Sequence, residues 1–569
     1  MIWFLENPAR SKHERLQLEL LVGSVDWLVP IGWRMETSHL SWDADILVGD
    51  RVRPITLRYP NHFPFSPPLV LPREDQPSWW SSHQYGVGGE LCLEYGPDNW
   101  HSDLTGADMI QSAHRLLVGE AQLESGGREL PSRHQTTLGE RLRGKNRRFY
   151  FDLEAQFLLV GLLENEVLKA TTLTVLQAPG STRYLASAGV GEVGWKASLP
   201  DPLSRHGFDS PTALVRWPAT EKLPSTASAS SLYAQLMSRG MDIGDASYLV
   251  VIQGEFISAF IVDGEADYVR EISVISEAER IGRLDSSHDA LKNLKVAVVG
   301  CGSMGSKVAT MLARSSLNQF VLVDSDIFLS ENLVRNDLDW RDVGSDKVDA
   351  IAAKVQLVNA KAVCVKHKRT LGGQGSSGGI ESLIEVLETC DLLIDCTADI
   401  AAFEVLSAVS SFAKRAVVWG EVFAGGMGGL IARSRPGREP NSSSIRRTIE
   451  AWCAERGTPI SRASAPYEGG ENGPAVANDA EVSIIASHVA ALSIDTLLRR
   501  EPSAYPNAAY LIGLQAGWIF TQAFETYPIE VAQPDEPTTV EVDPEEMRAE
   551  ILEIVRLIQE HPGATPPQP

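Results

Sequence analysis

The stretch KVAVVGCGSMGSKVATML, residues 295–312, decides the fold of the C-terminal half of the chain. It opens with a short apolar run typical of a buried strand, continues with three glycines spaced G-x-G-x-x-G, and ends with a helical pattern. The glycines are Gly300, Gly302 and Gly305. Glycines at this spacing let backbone N–H groups approach phosphate oxygens at a helix N-terminus, where the helix dipole favours anions. The stretch therefore predicts a strand, a phosphate-binding turn and a helix.

The residues after the turn indicate which nucleotide chemistry to expect. Asp324 ends the next apolar run, FVLVD, and is placed to accept a hydrogen bond from a ribose hydroxyl. The glycine pattern and this acid, taken alone, favour a nicotinamide dehydrogenase. However, Asn332, Arg335 and Lys347 follow closely. Positioned cations stabilise the charge that grows when a carboxylate attacks the α-phosphate of ATP, so the group favours adenylyl transfer.

Two acids follow a later strand signal and are candidates for a metal site. The stretch LLIDCTAD presents Asp395 and Asp399 at the carboxyl end of a predicted strand. Open α/β sheets bind ligands at this edge, and a carboxylate there could hold Mg²⁺. We therefore expect ATP and Mg²⁺ as the cofactors.

Composition excludes several other classes. The formal net charge of −23 over 569 residues argues against a nucleic-acid partner. The six cysteines form no C-x-x-C pair, which argues against a disulfide framework and a structural zinc site. We see no secretory leader and no uninterrupted apolar stretch long enough to span a membrane. A cytoplasmic protein without a membrane segment is expected.

At these residues the C-terminal region resembles the adenylation domain of ThiF/MoeB and ubiquitin-activating enzymes. Their glycine turn and their D-x-D, N-L-x-R, G-x-x-K and D-x-T elements recur here in order. The resemblance implies that Arg283 reaches into the site of a second subunit of a homodimer. Ala398 stands where the family has its usual metal-linked acid, which leaves the choice between Asp395 and Asp399 open. The residues that the resemblance assigns to ATP are Gly300, Gly302, Gly305, Asp324, Asp326, Asn332, Arg335 and Lys347.

Near the other end of the chain, GGELCLEYGPDNW, residues 88–100, places Cys92 between leucines and just before an exposed-turn sequence. A proline-rich corner, NHFPFSPP, precedes it, and Trp100 lies eight residues after the cysteine. This region resembles the ubiquitin-conjugating fold, which implies that Cys92 is an acyl-accepting nucleophile. The family's usual His-Pro-Asn is absent, and His83, Gln84 and Tyr85 occupy the equivalent stretch. Which of them takes that role stays open.

The remaining thiols lie in the C-terminal region of the sequence. Cys453, in IEAWCAER, lies in the segment 434–479, which corresponds to the crossover loop where activating enzymes usually carry a thiol of their own. It is a second candidate acyl carrier, and its helical sequence context is equally typical of a packed residue. The other cysteines are expected to be packing residues; they are Cys301, Cys364, Cys390 and Cys396.

These patterns divide the chain into four parts. They predict a multidomain protein of the α/β and α+β fold classes. Residues 1–145 are expected to form a ubiquitin-conjugating-like α+β domain and 146–278 a mixed α/β middle domain. Residues 279–530 are expected to form a Rossmann-like ThiF adenylation domain, and 531–569 an acidic, proline-rich tail with a short amphipathic helix.

The combination resembles fused activating and conjugating proteins of bacterial antiphage operons, including the CBASS type. That resemblance implies adenylation of a partner's C-terminal carboxylate, usually a glycine, transfer to a cysteine thioester, and ligation to a lysine amine. The partner would be a ubiquitin-like modifier or the C-terminus of a cyclic-nucleotide synthase (CD-NTase). Two alternatives remain: a ThiF-like adenylyltransferase serving sulfur transfer, in which Cys92 is dispensable, and a non-catalytic ATP-binding scaffold.

Overall fold

The protein is described by a computed structural model, in which the chain separates into two compact units, residues 1–144 and 145–569. Each unit is described by itself. The residues that the structure describes are 2–36, 39–73, 80, 84–85, 89–124, 137–177, 179–189, 194–277, 284–373, 377–458, 477–532 and 544–560.

The N-terminal unit is built on four antiparallel strands in the order β1–β2–β3–β4, with a separate hairpin, β5–β6. One face of β2 carries Trp42, Ala44, Ile46 and Val48, which pack with apolar residues of α2 and α3. Alternation along the strand places these four side chains on one side of the sheet, so this face forms the core. The elements are α1 (Trp3–Glu6), α2 (Pro8–Ser24), β1 (Leu28–Glu36), β2 (His39–Val48), β3 (Arg51–Arg58), β4 (Leu69–Pro72), β5 (Gln84–Tyr85), β6 (Glu90–Leu91), α3 (Gly106–Glu124) and α4 (Leu138–Arg141).

Two contacts fix the segments around this core. The buried Glu14 carboxylate on α2 accepts hydrogen bonds from the Tyr59 hydroxyl (2.8 Å) and from the backbone N–H of Gly106 (2.7 Å). The Trp100 indole N–H donates to the carbonyl oxygen of Pro64 at 2.7 Å. The proline-rich corner and the segment that follows Cys92 are therefore tied together.

Residues 145–277 contain a closed barrel. Strands follow the order β9–β7–β14–β13–β12–β11–β8, and β8 pairs back onto β9, while β10 extends from β9. Strands β12 and β13 form a hairpin, in which Gln253 pairs with Phe256 across a turn where Gly254 has φ of +59°. The elements are β7 (Arg147–Phe151), α5 (Leu153–Val160), β8 (Val167–Gln177), β9 (Gly180–Ala188), β10 (Trp195–Lys196), α6 (Asp201–Ser204), β11 (Gly207–Arg216), α7 (Ala229–Met237), β12 (Tyr248–Gln253), β13 (Phe256–Asp263) and β14 (Tyr268–Ser276).

The C-terminal region is the wound α/β sheet that its sequence predicted. Its order is β17–β16–β15–β18–β19–β20–β21–β22, with parallel pairing from β17 to β19 and antiparallel pairing beyond. The elements are β15 (Lys295–Val299), α8 (Ser303–Arg314), β16 (Gln319–Val323), α9 (Lys347–Val358), β17 (Val363–His367), α10 (Ser377–Glu388), β18 (Leu392–Asp395), α11 (Ile400–Ala413), β19 (Ala416–Phe423), β20 (Gly428–Ser434), α12 (Ser442–Glu455), α13 (Asp479–Leu497), β21 (Ala509–Gly513), β22 (Thr526–Ile529) and α14 (Pro544–Glu560).

The order of these strands places a binding crevice. From β15 the chain winds outward through β16 to β17, and then returns to the other side of β15 with β18. The position where the strand order reverses is a topological switch point. The connections on its two sides run in opposite directions and leave a crevice between them, outside the carboxyl ends of the strands. The glycine turn, Asp324 and Asp395 all lie at this edge of the sheet.

Two C-terminal helices differ in their surroundings. By length and mean hydropathy α13 resembles a membrane span, but it packs on α8, β19 and β20 with a buried apolar face. That is the setting of a core helix. The tail helix α14 forms as predicted, and its apolar side chains Met547, Ile551, Leu552, Ile554 and Val555 are exposed.

Candidate active site

The glycine turn, residues 300–305, joins β15 to α8 and depends on its glycines for different reasons. Gly300 has φ of +87°, a left-handed conformation that favours glycine. A Cβ on Gly305 would lie 1.8 Å from the carbonyl oxygen of Gly300, so only glycine fits there. A Cβ on Gly302 would meet nothing within 4 Å, and Gly302 is the N-cap of α8. The first and third glycines thus pack the turn, while the second faces open space at a helix N-terminus.

Asp324 ties this turn to the end of β16. Its Oδ2 accepts from the backbone N–H of Cys301 at 2.7 Å, and its Oδ1 accepts from the backbone N–H of Asp326 at 2.8 Å. Each carboxylate oxygen has a further lone pair, so the carboxylate can still accept from a ribose hydroxyl. The predicted ribose acid therefore also positions the phosphate-binding turn.

Lys347 is held at the start of α9 by the second acid of the D-x-D pattern. Its ammonium lies 2.9 Å from Asp326 Oδ2, and its backbone N–H donates to the Asp326 carbonyl oxygen, also at 2.9 Å. The lysine is only 9% exposed, whereas the Asp326 side chain is 68% exposed. The structure thus fixes a cation near the crevice and connects it, through Asp326 and Asp324, to the glycine turn.

Asn332 and Arg335 lie on the same connection, at a short 3₁₀ helix, Ser330–Val334. The Asn332 side-chain oxygen accepts from the backbone N–H of Leu329 at 3.0 Å, which leaves its amide group as a donor. Asn336, which the motif analysis did not single out, donates to the carbonyl oxygen of Cys301 at 3.3 Å. This contact fastens the cation-bearing connection to the glycine turn.

The two predicted metal acids have different environments. Asp395, at the end of β18, is 4% exposed, and its Oδ1 accepts from the Thr397 hydroxyl (2.6 Å) and backbone N–H (2.9 Å). Burial raises the pKa of Asp395 to about 6, against the lowering effect of these hydrogen bonds. Asp399 is exposed and caps α11 by accepting from the backbone N–H of Ala402 at 3.0 Å. Of the two acids, Asp395 is therefore the better candidate for a metal ligand.

Glu421, on β19, is a further acid that the motif analysis missed. The parallel register pairs Asp395 with Trp419, and Glu421 follows two residues later, so Asp395 and Glu421 share one face of the sheet. Its charge raises the pKa of Asp395, and it lies 3.0 Å from the Arg446 guanidinium. Within the described ranges no cluster of three or more His, Cys, Asp or Glu side chains suits a metal. One or two carboxylates together with nucleotide phosphates do suit Mg²⁺, and this pair fits that donor set.

The thiol candidate Cys92 directly follows β6 and is partly exposed. Its Sγ lies 2.9 Å from the hydroxyl oxygen of Tyr85, on the facing strand. Burial raises the pKa of the Cys92 thiol, the hydrogen bond with Tyr85 lowers it, and the charges of Glu90 and Asp98 raise it. Of the three residues proposed to replace the family's asparagine, Tyr85 contacts the thiol.

The neighbouring candidate Gln84 has a structural role. Its side-chain oxygen accepts from the backbone N–H of Trp80 at 2.6 Å, and its amide donates to the Gly89 carbonyl oxygen at 2.7 Å. His83 lies outside the described residues, and so does Arg283, the arginine expected to reach a second subunit.

Cys453 does not have the environment expected of an acyl carrier. It has no exposed surface, it packs in the core between α12 and the sheet, and burial raises its pKa to about 11. A buried thiol with a raised pKa is a poor nucleophile, so these surroundings favour the packed alternative for Cys453 over an acyl carrier. The other four cysteines of the C-terminal region were expected to be packing residues, and their burial fits that role. Cys301 and Cys390 are buried, and Cys364 and Cys396 are partly buried.

A glycine turn, an acid after the second strand and a buried cation at a sheet's switch point define a nucleotide-binding α/β domain. The profile of the ThiF family matches residues 270–523, somewhat under half of the chain. The wound α/β sheet lies within this matched range, so the C-terminal region is similar to the ThiF family, and the predicted fold class is confirmed.

Two curated relatives are similar to part of the chain. The adenylyltransferase and sulfurtransferase MOCS3 of Caenorhabditis briggsae is 31% identical over 117 residues, 20% of this chain and 27% of that protein. The probable adenylyltransferase/sulfurtransferase MoeZ of Mycobacterium tuberculosis is 24% identical over 134 residues, 23% of this chain and 32% of that protein. The chain thus spans about a third or less of the length of these relatives.

Similar solved structures include E. coli MccB with ATP and PaaA. MccB is 17% identical with a TM-score of 0.32, and the match covers 43% of this chain and 67% of that chain. PaaA is 17% identical with a TM-score of 0.34, and the match covers 43% of this chain and 75% of that chain.

Proposed function

We propose that this protein uses ATP to adenylate the C-terminal carboxylate of a ubiquitin-like modifier or of a CD-NTase partner, and that Cys92 then carries the acyl group to a target lysine. We further propose that it acts in bacterial antiphage defence. The observation that carries the adenylation step is a set of linked contacts. Asp324 accepts from the backbone N–H of Asp326, the Asp326 carboxylate pairs with Lys347, and a Cβ on Gly302 would meet open space.

The adenylation step follows from these groups. A carboxylate oxygen of the partner attacks the α-phosphorus of ATP, the C–O–P linkage forms, and pyrophosphate leaves. The ammonium of Lys347 and the guanidinium of Arg335 would stabilise charge on the phosphoryl oxygens, and the open N-terminus of α8 would receive phosphates. Asp395 and Glu421 would hold Mg²⁺, which neutralises phosphate charge when bound.

Transfer to Cys92 is supported by accessibility and by its neighbours. Cys92 is partly exposed and follows a hairpin whose Tyr85 contacts the sulfur, whereas the alternative carrier Cys453 is fully buried. A thioester must be reachable by an amine, and the turn 96–99 after Cys92 is largely exposed. This favours a single carrier thiol, Cys92.

A homodimer through the ThiF domain is part of the proposal. Val334 and Trp340 are 68% and 73% exposed on the connection that bears the ATP residues, and a second copy would cover these large apolar side chains. The family resemblance implies that Arg283 of a second copy reaches the neighbouring nucleotide site.

Sulfur transfer is the second candidate, because the names of both curated relatives include a sulfurtransferase. The two candidates differ in their need for Cys92. Activation for sulfur transfer needs the adenylate alone, whereas conjugation needs an acyl thioester on Cys92 and a new amide bond.

One experiment separates them. The full-length protein is incubated with ATP, Mg²⁺ and each protein encoded beside its gene, with pyrophosphate release and a thiol-sensitive adduct as readouts. We expect Cys92→Ala to abolish the adduct and retain pyrophosphate release, and the matched variant Cys364→Ala, at a partly buried thiol, to retain both. An unchanged adduct and product in Cys92→Ala would eliminate conjugation, and absence of pyrophosphate with every partner would favour the scaffold alternative.

A further inference from the structure

The Cys92 hairpin, β5–β6 with the following cysteine, presents two faces of different character. Its register pairs Gln84 with Leu91 and Tyr85 with Glu90. Side chains alternate along a strand, so Gln84 and Leu91 share the inner face, where both are buried. Tyr85, Glu90 and Cys92 share the outer face, and Tyr85 is the diagonal cross-strand neighbour of Cys92. The backbone pairing therefore sets the contact between the hydroxyl and the sulfur.

Tyr85 is held in this register from the inner face. The Gln84 amide bridges the backbone on both sides of the hairpin through its bonds to Trp80 and Gly89. Tyr85 itself is 51% exposed, so its ring can be reached from solvent while its hydroxyl points at the sulfur. The contact is thus positioned by the chain and still open to a partner.

The charges around the sulfur are negative. Glu90, on the same hairpin, and Asp98, on the following turn, both disfavour a thiolate at Cys92. The Tyr85 hydroxyl acts in the opposite direction, and burial together with the bond to Cys92 raises the pKa of Tyr85, which keeps the hydroxyl protonated. The hydroxyl can therefore act as a donor to a sulfur anion without losing its own proton.

We propose that Tyr85 is a catalytic residue of the conjugation step, in which its hydroxyl donates a hydrogen bond to the Cys92 thiolate both as nucleophile and as leaving group. This inference rests on the proposed function of Cys92. When the thioester forms, the thiol first loses its proton to solvent, Sγ bonds to the acyl carbon, and AMP leaves with the electron pair of the broken C–O bond. When the amide forms, the amine nitrogen bonds to the acyl carbon, its proton passes to solvent, and Sγ leaves with the electron pair of the C–S bond.

The test uses the full-length protein and compares Tyr85→Phe with the matched control Tyr95→Phe, a tyrosine on the turn that follows Cys92. The first readout is the rate of iodoacetamide alkylation of the Cys92 peptide as a function of pH, measured by mass spectrometry. Hydrogen bonds to charged groups are worth enough to shift a titration by about one unit. We expect the midpoint to rise by about one unit in Tyr85→Phe and to stay unchanged in Tyr95→Phe. An unchanged midpoint in Tyr85→Phe overturns the proposal, whatever the conjugation activity.

The second readout is the rate at which the preformed Cys92 thioester reacts with lysine. We expect roughly a tenfold slower reaction in Tyr85→Phe, because a poorly stabilised thiolate is a slower leaving group. A shifted midpoint with an unchanged aminolysis rate overturns the leaving-group role. If the wild-type protein forms no thioester with any partner, the proposed function itself fails, and the alkylation midpoint still reports the hydrogen bond separately. Thermal unfolding of both variants checks that each one is folded.

Discussion

The glycine turn and the Cys92 hairpin are both short segments with candidate chemistry, but the chain holds them by different means. In the glycine turn the determining contacts are between backbone atoms, such as the close approach of Gly305 to the Gly300 carbonyl. In the Cys92 hairpin the determining contact is between two side chains, the Tyr85 hydroxyl and the Cys92 sulfur.

This difference decides how each site should respond to substitution. A backbone contact leaves no room for adjustment, so a single added methyl group should disrupt both the fold and the function. A side-chain contact at a half-exposed residue should be removable with little effect on folding, so that only the chemistry changes. The predictions below test this contrast.

The largest effect is expected from Gly305→Ala. The new Cβ would lie 1.8 Å from a carbonyl oxygen, and neither partner can move without shifting the backbone. We expect the free energy of unfolding to fall by roughly 3 kcal/mol or more and ATP binding to be lost. Urea unfolding and calorimetric titration with ATP measure the two quantities.

Gly302→Ala is the control for this variant. Its Cβ meets nothing within 4 Å, so folding should be retained, while a methyl group at the open N-terminus of α8 should weaken ATP binding. Equal loss of stability in both variants would contradict the assignment of Gly302 as the position that phosphates approach.

The next effect concerns Lys347. Lys347→Met removes the cation that Asp326 positions, and loss of one preorganised electrostatic group typically costs about 10²–10³ in rate. We expect pyrophosphate release to fall by that factor while the pH midpoint of Cys92 alkylation is unchanged. The exposed Lys361, just beyond the same helix, supplies the control Lys361→Met. Comparable loss in both variants would remove Lys347 from the site.

A third prediction uses the buried acid. Because the pKa of Asp395 is raised to about 6 from 3.8, the folded state retains a proton over a pH range in which the unfolded state has lost it. Stability therefore decreases as pH rises through this window, and the full cost is present above about pH 6. Asp395→Asn should thus stabilise the protein more at pH 7.5 than at pH 4.5, by about 2 kcal/mol, while pyrophosphate release is lost.

Urea unfolding at the two pH values measures this difference. Asp399→Asn is the matched control, because Asp399 is exposed and asparagine is also a good helix cap. A stabilisation of Asp395→Asn that does not depend on pH would argue against a proton retained on Asp395 by burial.

The sequence predicted those features that depend on local spacing. The strand, turn and helix around Gly300 and the acid Asp324 all follow from residues close together in the chain. The barrel closure was not predicted, because β7 pairs in parallel with β14, more than a hundred residues away. Glu421 was missed for the same reason: its proximity to Asp395 is a property of the sheet register.

The thiols show where residue patterns are insufficient. The sequence already separates Cys92, which precedes an exposed-turn sequence, from Cys453, which lies in a helical segment, but it leaves the burial of Cys453 open. Packing decides that point, since α12 places Cys453 in the core while Cys92 follows the separate β5–β6 hairpin. The contact of Cys92 with Tyr85 depends on a two-residue pairing that has no periodicity to detect.

The smallest effect is expected from Cys453→Ala. Removing a buried thiol leaves a small cavity, so the free energy of unfolding should fall by about 1 kcal/mol, without any change in thioester formation or in pyrophosphate release. Non-reducing electrophoresis and urea unfolding measure the two responses. If the thiol-sensitive adduct on Cys92 disappears in this variant, the acyl group must pass through Cys453, and a conformation in which α12 exposes its thiol would be part of the catalytic cycle. If the adduct persists, the adenylate is the direct acyl donor to Cys92.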